Sequence, residues 1–161
     1  MSVDPTAPSD VIIACDPNPI PHEQRERWLE VATQMYAAVQ EVHELPDGYA
    51  FRLPSSPEML PIVAEDLNID RLCCPFLRFT LDIEPNGGPY WLRLTGGEGV
   101  KEFLRMSFES SNLLNEEVAR AVGFSTASRT DMASVEAALQ AVDRVNEQFA
   151  AASGLRNRTD A

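Results

Sequence analysis

The chain has 161 residues, 44% of them apolar, and a formal charge of -12 from 25 acidic against 13 basic side chains, which suits one globular domain with a buried core. The acidic balance repels phosphate backbones, and the basic residues are scattered rather than gathered in a stripe, so no nucleic-acid partner is expected. No apolar run approaches the roughly 20 residues that span a bilayer, so no membrane partner is expected either.

Met1 to Asp10 is small, polar and proline-containing, and predicts a disordered tail. It carries neither the basic region nor the apolar segment of an export signal, so a cytoplasmic location is expected. Val11-Ile12-Ile13-Ala14-Cys15 is a short apolar run ended by Asp16-Pro17-Asn18-Pro19, which predicts a brief extended segment carrying Cys15 inward. From His22 to Val42 the apolar residues Trp28, Val31, Ala32, Met35, Val39 and Val42 recur at helical spacing, with Glu23 and Glu26 early enough to favour the N-terminal dipole. This predicts a long first helix over 22–42.

Leu45-Pro46-Asp47-Gly48 reads as a turn, and Tyr49 to Leu53 alternates as a half-buried strand does. Ser55 or Ser56 is placed to cap a second helix, with Glu58 in the capping-box position and Pro57 in the first turn; Leu60, Val63, Ala64 and Leu67 form its expected inner stripe. Pro75 biases Cys74 away from helical angles, so the helix is expected to stop before Cys74 and a strand to begin near Leu77. Arg78 to Ile83 and Tyr90 to Leu94 alternate on either side of Pro85-Asn86-Gly87-Gly88-Pro89, predicting a hairpin. Thr95-Gly96-Gly97-Glu98 opens a helix with Val100, Phe103, Leu104 and Phe108 on one side.

After Ser110 the pattern predicts a short helix around Asn115 to Val122, a Ser/Thr-rich link over Ser125 to Thr130, and a long helix from Asp131 to Ala152. Val135, Leu139, Val142, Val145 and Phe149 make a near-heptad seam on that rod of roughly 30 Å, suited to one other helix, in the same subunit or a symmetry mate. A homodimer through this helix is expected. The fold class is therefore α+β: a small, mainly antiparallel three-stranded sheet with helices packed on one face, and a C-terminal helical arm. The expected layout is a tail over 1–10, a core domain over 11–111 and a helical extension over 112–161.

The chemistry concentrates at Cys73-Cys74-Pro75, where helix gives way to strand. Three cysteines, an odd number with no export signal, argue for reduced thiols rather than a disulfide framework. Thiolates bind Zn(II), Hg(II) or As(III) because they are soft and charged. Two adjacent cysteines offer two sulfurs, and Cys15, if it folds back onto the second helix, makes a three-sulfur set that suits trigonal As(III) or Hg(II). Tetrahedral zinc needs a fourth ligand, for which His22, Asp16 and Asp70 are the nearest by type. A helix C-terminus disfavours a thiolate, whereas Arg71 and Arg78 favour one if they point inward.

The stretch from Val11 to Arg105 resembles a family of small, largely uncharacterised bacterial proteins. The resemblance is carried by Ile13-Ala14-Cys15, by Leu45 to Phe51, by Asp70-Arg71-Leu72-Cys73-Cys74-Pro75-Phe76-Leu77-Arg78-Phe79, and by Leu94-Thr95-Gly96-Gly97-Glu98-Gly99-Val100-Lys101-Glu102-Phe103. Asp70 stands where the family usually has glutamate and Gly97 where it usually has proline. The resemblance implies no established activity beyond a loose association with mercury- and arsenic-handling genes, and it does not reach past Ser110.

Other patterns are less specific. His22 and His43 flank the first helix and read as solvated polar residues. The Thr95 to Gly99 turn has the form of an anion cradle, but a tight turn explains the same residues. Trp28, Tyr49, Phe51, Phe79 and Trp91 suit either an apolar pocket or plain core filling. No nucleophile elbow, zinc-protease, phosphate-loop or dinucleotide fingerprint occurs, so no catalytic residue is named, and an enzyme using a cysteine nucleophile is the less favoured option. The functional expectation is thiophilic metal or metalloid binding through Cys73, Cys74 and Cys15. The alternatives are a protein-interaction domain whose cysteines merely pack, since free cysteine is readily buried, and a thiol redox protein using a vicinal disulfide or a sulfenic acid.

Overall fold

The computed structural model describes residues 13–126 together with Gln140 and Arg144. Its described elements are α1 (His22–Ala37), β1 (Glu41–Leu45), β2 (Gly48–Leu53), α2 (Met59–Cys73), β3 (Arg78–Ile83), β4 (Tyr90–Thr95), α3 (Val100–Ser110) and α4 (Glu116–Ala121). The strands form one antiparallel sheet in the order β1-β2-β4-β3, so the class is α+β.

The sheet has four strands where the sequence suggested three. Helix α1 stops at Ala37, not Val42, and the residues released form β1. The helix closes with two tight backbone bonds, Ala38 N to Met35 O and Val39 N to Tyr36 O, and Gln40 N already donates to Arg52 O at 2.9 Å, inside the sheet. Val39 and Val42 continue the helical spacing of α1, but both are β-branched and both are buried where the extended chain runs. The two-residue turn Pro46-Asp47 then sets the register, pairing Leu45 with Gly48 and Val42 with Phe51. Gly48 is required by close approach: a Cβ there would lie 1.9 Å from the Leu94 carbonyl oxygen of β4.

The β3–β4 hairpin follows its turn residues. Asn86 and Gly87 both take left-handed φ, 59° and 69°, and Ile83 pairs with Tyr90 across them. Register places Val42, Phe51, Leu92 and Leu81 in one row across the sheet, and Tyr49, Leu94 and Phe79 in the next. Those residues meet Met35 and Tyr36 of α1, Met59 and Val63 of α2, and Leu104 and Phe108 of α3 in the main core. Leu114, Ala119 of α4 and Phe124 are buried in the same cluster. The opposite face carries the polar partners, with Arg93 bonded to Asp82 at 2.5 Å and His43 against Trp91.

Helix α2 starts at Met59 with Glu58 at its N-cap and no side-chain cap, so the expected Ser55 or Ser56 capping box does not form. Pro57 lies ahead of the helix; Pro61 occupies its first turn, where a missing N–H leaves no bond unmade. The buried stripe is Met59, Val63, Asp66, Ile69 and Cys73, rotated from the expected Leu60, Val63, Ala64 and Leu67. The expected tail over 1–10, the seam residues Val135, Leu139, Val142, Val145 and Phe149, and the homodimer they would build lie outside the described residues. Among the described residues no helix is long and apolar enough to cross a membrane.

Candidate metal centre

Cys73 is the last residue of α2, and Cys74 leaves the helix at φ -123° and ψ 63°, as the following proline requires. Cys74 N still donates to Asp70 O at 3.0 Å, and Leu77 N closes a turn onto Cys74 O at 3.1 Å before β3 begins. The helix end and this turn together hold the two sulfurs 3.4 Å apart. A helix leaves its last carbonyls without partners, and here the N-terminal segment supplies one: Asp16 N donates to Cys73 O at 3.0 Å.

That bond fixes the position of Cys15. Its Sγ lies 2.6 Å from Cys74 Sγ, and the sulfurs of Cys15, Cys73 and Cys74 all fall within 4.8 Å of one another. Among the described residues they are the grouped donors that could hold a metal ion. Cys15 is exposed, whereas Cys73 and Cys74 are 0% and 3% exposed, so the site is open on one side and walled on the other. Ile20, 1% exposed, and Ile69 form the wall, with Trp28, Leu72, Phe76 and Leu77 packed around it. Ile13, two residues before Cys15, packs against Gly99, whose left-handed φ of 87° caps α3.

The charge state follows from these contacts. The Cys73 thiol, and after it that of Cys74, hold Cys15 well below the ordinary thiol range against the opposing effect of burial. Cys73 is pushed up by its neighbours Cys15 and Cys74 and by burial, and Cys74 is pushed up chiefly by Cys15. The three thiols titrate as one coupled group, in which the exposed Cys15 gives up its proton ahead of the two buried thiols behind it. Cys73 Sγ also donates to Asp70 O and Oδ1, both at 3.3 Å. Burial raises Asp70 to about 6, with Cys73 and Trp28 pulling it down and the Cys15 charge pushing it further up.

The expected fourth ligands do not join the group. Asp16 turns its carboxylate to its own loop, accepting Asn18 N–H at 3.0 Å, and His22 is exposed in the first turn of α1. Asp70 reaches Cys73 alone of the three sulfurs and is not one of the grouped donors. Neither arginine turns to the thiols: Arg71 bonds Asn68 Oδ1 at 3.3 Å and Arg78 is exposed. The neighbours that set the thiol charges are other thiols and the Asp70 carboxyl, an environment that favours a cation.

Asp66, one turn before Asp70 on the same stripe, was not singled out from sequence. It is 1% exposed, neither carboxylate oxygen has a hydrogen-bond partner, and burial together with the Asp70 charge raises it to about 8. An acid at helical spacing between Val63 and Ile69 is the signal that could have marked it. The remaining candidates disperse. Gly96 N donates to Asp47 O, and Val100 N at the start of α3 donates to Gly97 O, so the Thr95 to Gly99 turn is bonded within the chain. Tyr49 and Phe51 fill the main core, Trp28 covers the thiol wall, and Trp91 lies tilted against His43 with ring centres 4.7 Å apart. No protein-family model, curated protein or solved structure matches the chain.

Proposed function

We propose that the chain captures a thiophilic ion of the Hg(II), As(III) or Zn(II) type through Cys15, Cys73 and Cys74. The observation that carries this reading is the convergence of three sulfurs within 4.8 Å, across 57 residues of intervening chain between Cys15 and Cys73, at a site with one exposed face. At a Zn–S distance of about 2.3 Å, tetrahedral sulfurs stand roughly 3.8 Å apart, so Cys15 must draw back from Cys74, now at 2.6 Å, and the vicinal pair, at 3.4 Å, must spread slightly to admit an ion. Three sulfurs with no fourth donor grouped beside them among the described residues favour a three-coordinate thiophile such as As(III) or Hg(II). Zinc would fill its fourth position with water.

Packing alone accounts for Cys73 and Cys74, which sit in the wall with Ile20 and Ile69. It does not account for Cys15, which is exposed and yet held against Cys74. Titration of the reduced full-length protein with arsenite, Hg(II) or Zn(II), followed by gel filtration and metal analysis, tests the reading. One ion retained per chain, with retention weakened in Cys15→Ser and in Cys74→Ser, supports it. Retention of none, with all thiols unreactive until denaturant is added, removes it.

A further inference from the structure

We infer that Cys15 and Cys74 are also a reversible disulfide pair, oxidised by a hydroperoxide, and that closing this bond empties the three-sulfur site. The two sulfurs lie 2.6 Å apart, inside ordinary non-bonded contact, and need move only about 0.6 Å to reach a bonding distance of about 2.05 Å. They belong to segments far apart in sequence, which the Asp16 to Cys73 backbone bond joins independently of the thiol contact. The exposed member, Cys15, is the one a small oxidant meets first, and Cys74 stands behind it as the resolving thiol.

The competing pair is less suited. Cys73 and Cys74 are neighbours in sequence with sulfurs 3.4 Å apart, and a bond between them would close a small ring over the intervening peptide at the helix end. Cys73 is also fully buried and engaged with Asp70 through two contacts.

The steps balance. The Cys15 thiolate attacks one oxygen of the hydroperoxide, the O–O bond breaks, and the departing oxygen leaves as hydroxide or alkoxide, which takes a proton from solvent. Cys15 is then a sulfenic acid. Cys74 gives its proton to the leaving hydroxyl, attacks the Cys15 sulfur, and expels water as the S–S bond forms. Two electrons pass from the two sulfurs to the peroxide, and a dithiol reductant returns them. After closure Cys73 is the one remaining thiol. The release of an ion rests on the ion-binding reading above; the cross-link does not.

The test treats the reduced, metal-free full-length protein with one equivalent of hydrogen peroxide, blocks residual thiols, and maps non-reduced peptides by mass spectrometry. A Cys15–Cys74 linked peptide with Cys73 alkylated only in denaturant is expected, forming equally in Cys73→Ser. Cys74→Ser is expected to stop at the Cys15 sulfenic acid, trapped by dimedone. A Cys73–Cys74 link, a link between chains, or Cys15 sulfinic acid without cross-link overturns the inference. In the ion arm, the oxidised protein is expected to retain less than a tenth of the arsenite held by the reduced one. A clean Cys15–Cys74 bond in a protein whose reduced form holds no ion keeps the cross-link and removes the ion reading; ion retention without the bond does the reverse.

Discussion

Asp16 donates its backbone N–H to the carbonyl of Cys73 at 3.0 Å, and this bond joins the N-terminal segment to the end of α2. It satisfies a helix-terminal carbonyl and delivers Cys15 to the vicinal pair in one contact, so the capping of a helix and the completion of a donor set are the same event.

Ile20 closes the wall on the protein side, 1% exposed against Ile69, Cys73 and Cys74. Ile20→Ala should cost about 2–4 kcal/mol in urea unfolding and should speed the reaction of the buried thiols with a chromogenic disulfide in the folded protein. Unchanged thiol kinetics would mean that another group shields the pair.

Asp66 makes stability pH-dependent. Its carboxyl stays protonated in the folded chain up to about pH 8, whereas in the unfolded chain it ionises near its ordinary value of 3.8. Between those values unfolding releases a proton, so stability is full below about pH 4 and falls as pH rises, by up to about 1.4 kcal/mol per unit. Asp66→Asn should flatten that slope between pH 6 and 8 in denaturant titrations. The slope below pH 6 should survive, because Asp70, raised to about 6, still contributes there.

Ion uptake should strengthen with pH. Cys73 and Cys74 are held protonated by their neighbours while Cys15 is already ionised, so binding through three thiolates must release two protons from the pair. Affinity for Zn(II) should rise by about 10²-fold per pH unit through the neutral range, and calorimetry in buffers of different ionisation enthalpy should count the protons. Asp70→Asn should ease loss of the Cys73 proton above about pH 6, where the Asp70 carboxylate is charged and keeps that proton on, and should change little below it.

Oxidation should stabilise the fold. A Cys15–Cys74 bond closes a loop of about 60 residues, which on chain-entropy grounds contributes about 4 kcal/mol. Oxidised wild type should therefore unfold at higher denaturant than reduced wild type, and Cys15→Ser should show no such difference.

Where local chemistry decides the structure, the sequence was readable. Pro75 stops α2, Asn86-Gly87 turns the hairpin, and the vicinal cysteines fall at the junction that their neighbours imply. Three features depended on partners distant in sequence. Val39 and Val42 fit a helix as well as a strand, and only pairing with Phe51 and Arg52 decides for β1. Asp66 breaks an apolar stripe, so counting apolar positions rotated the buried face of α2 away from it. The distance from Cys15 to the pair rested on one backbone bond between residues 57 apart, which no local pattern encodes.

X-ray absorption at the arsenic edge of the reduced protein with one equivalent of arsenite tests the three-sulfur centre most directly. Three sulfur neighbours and no oxygen are expected around arsenic, falling to two sulfurs in Cys15→Ser. An oxygen-only shell, or a sulfur count unchanged by Cys15→Ser, would contradict it.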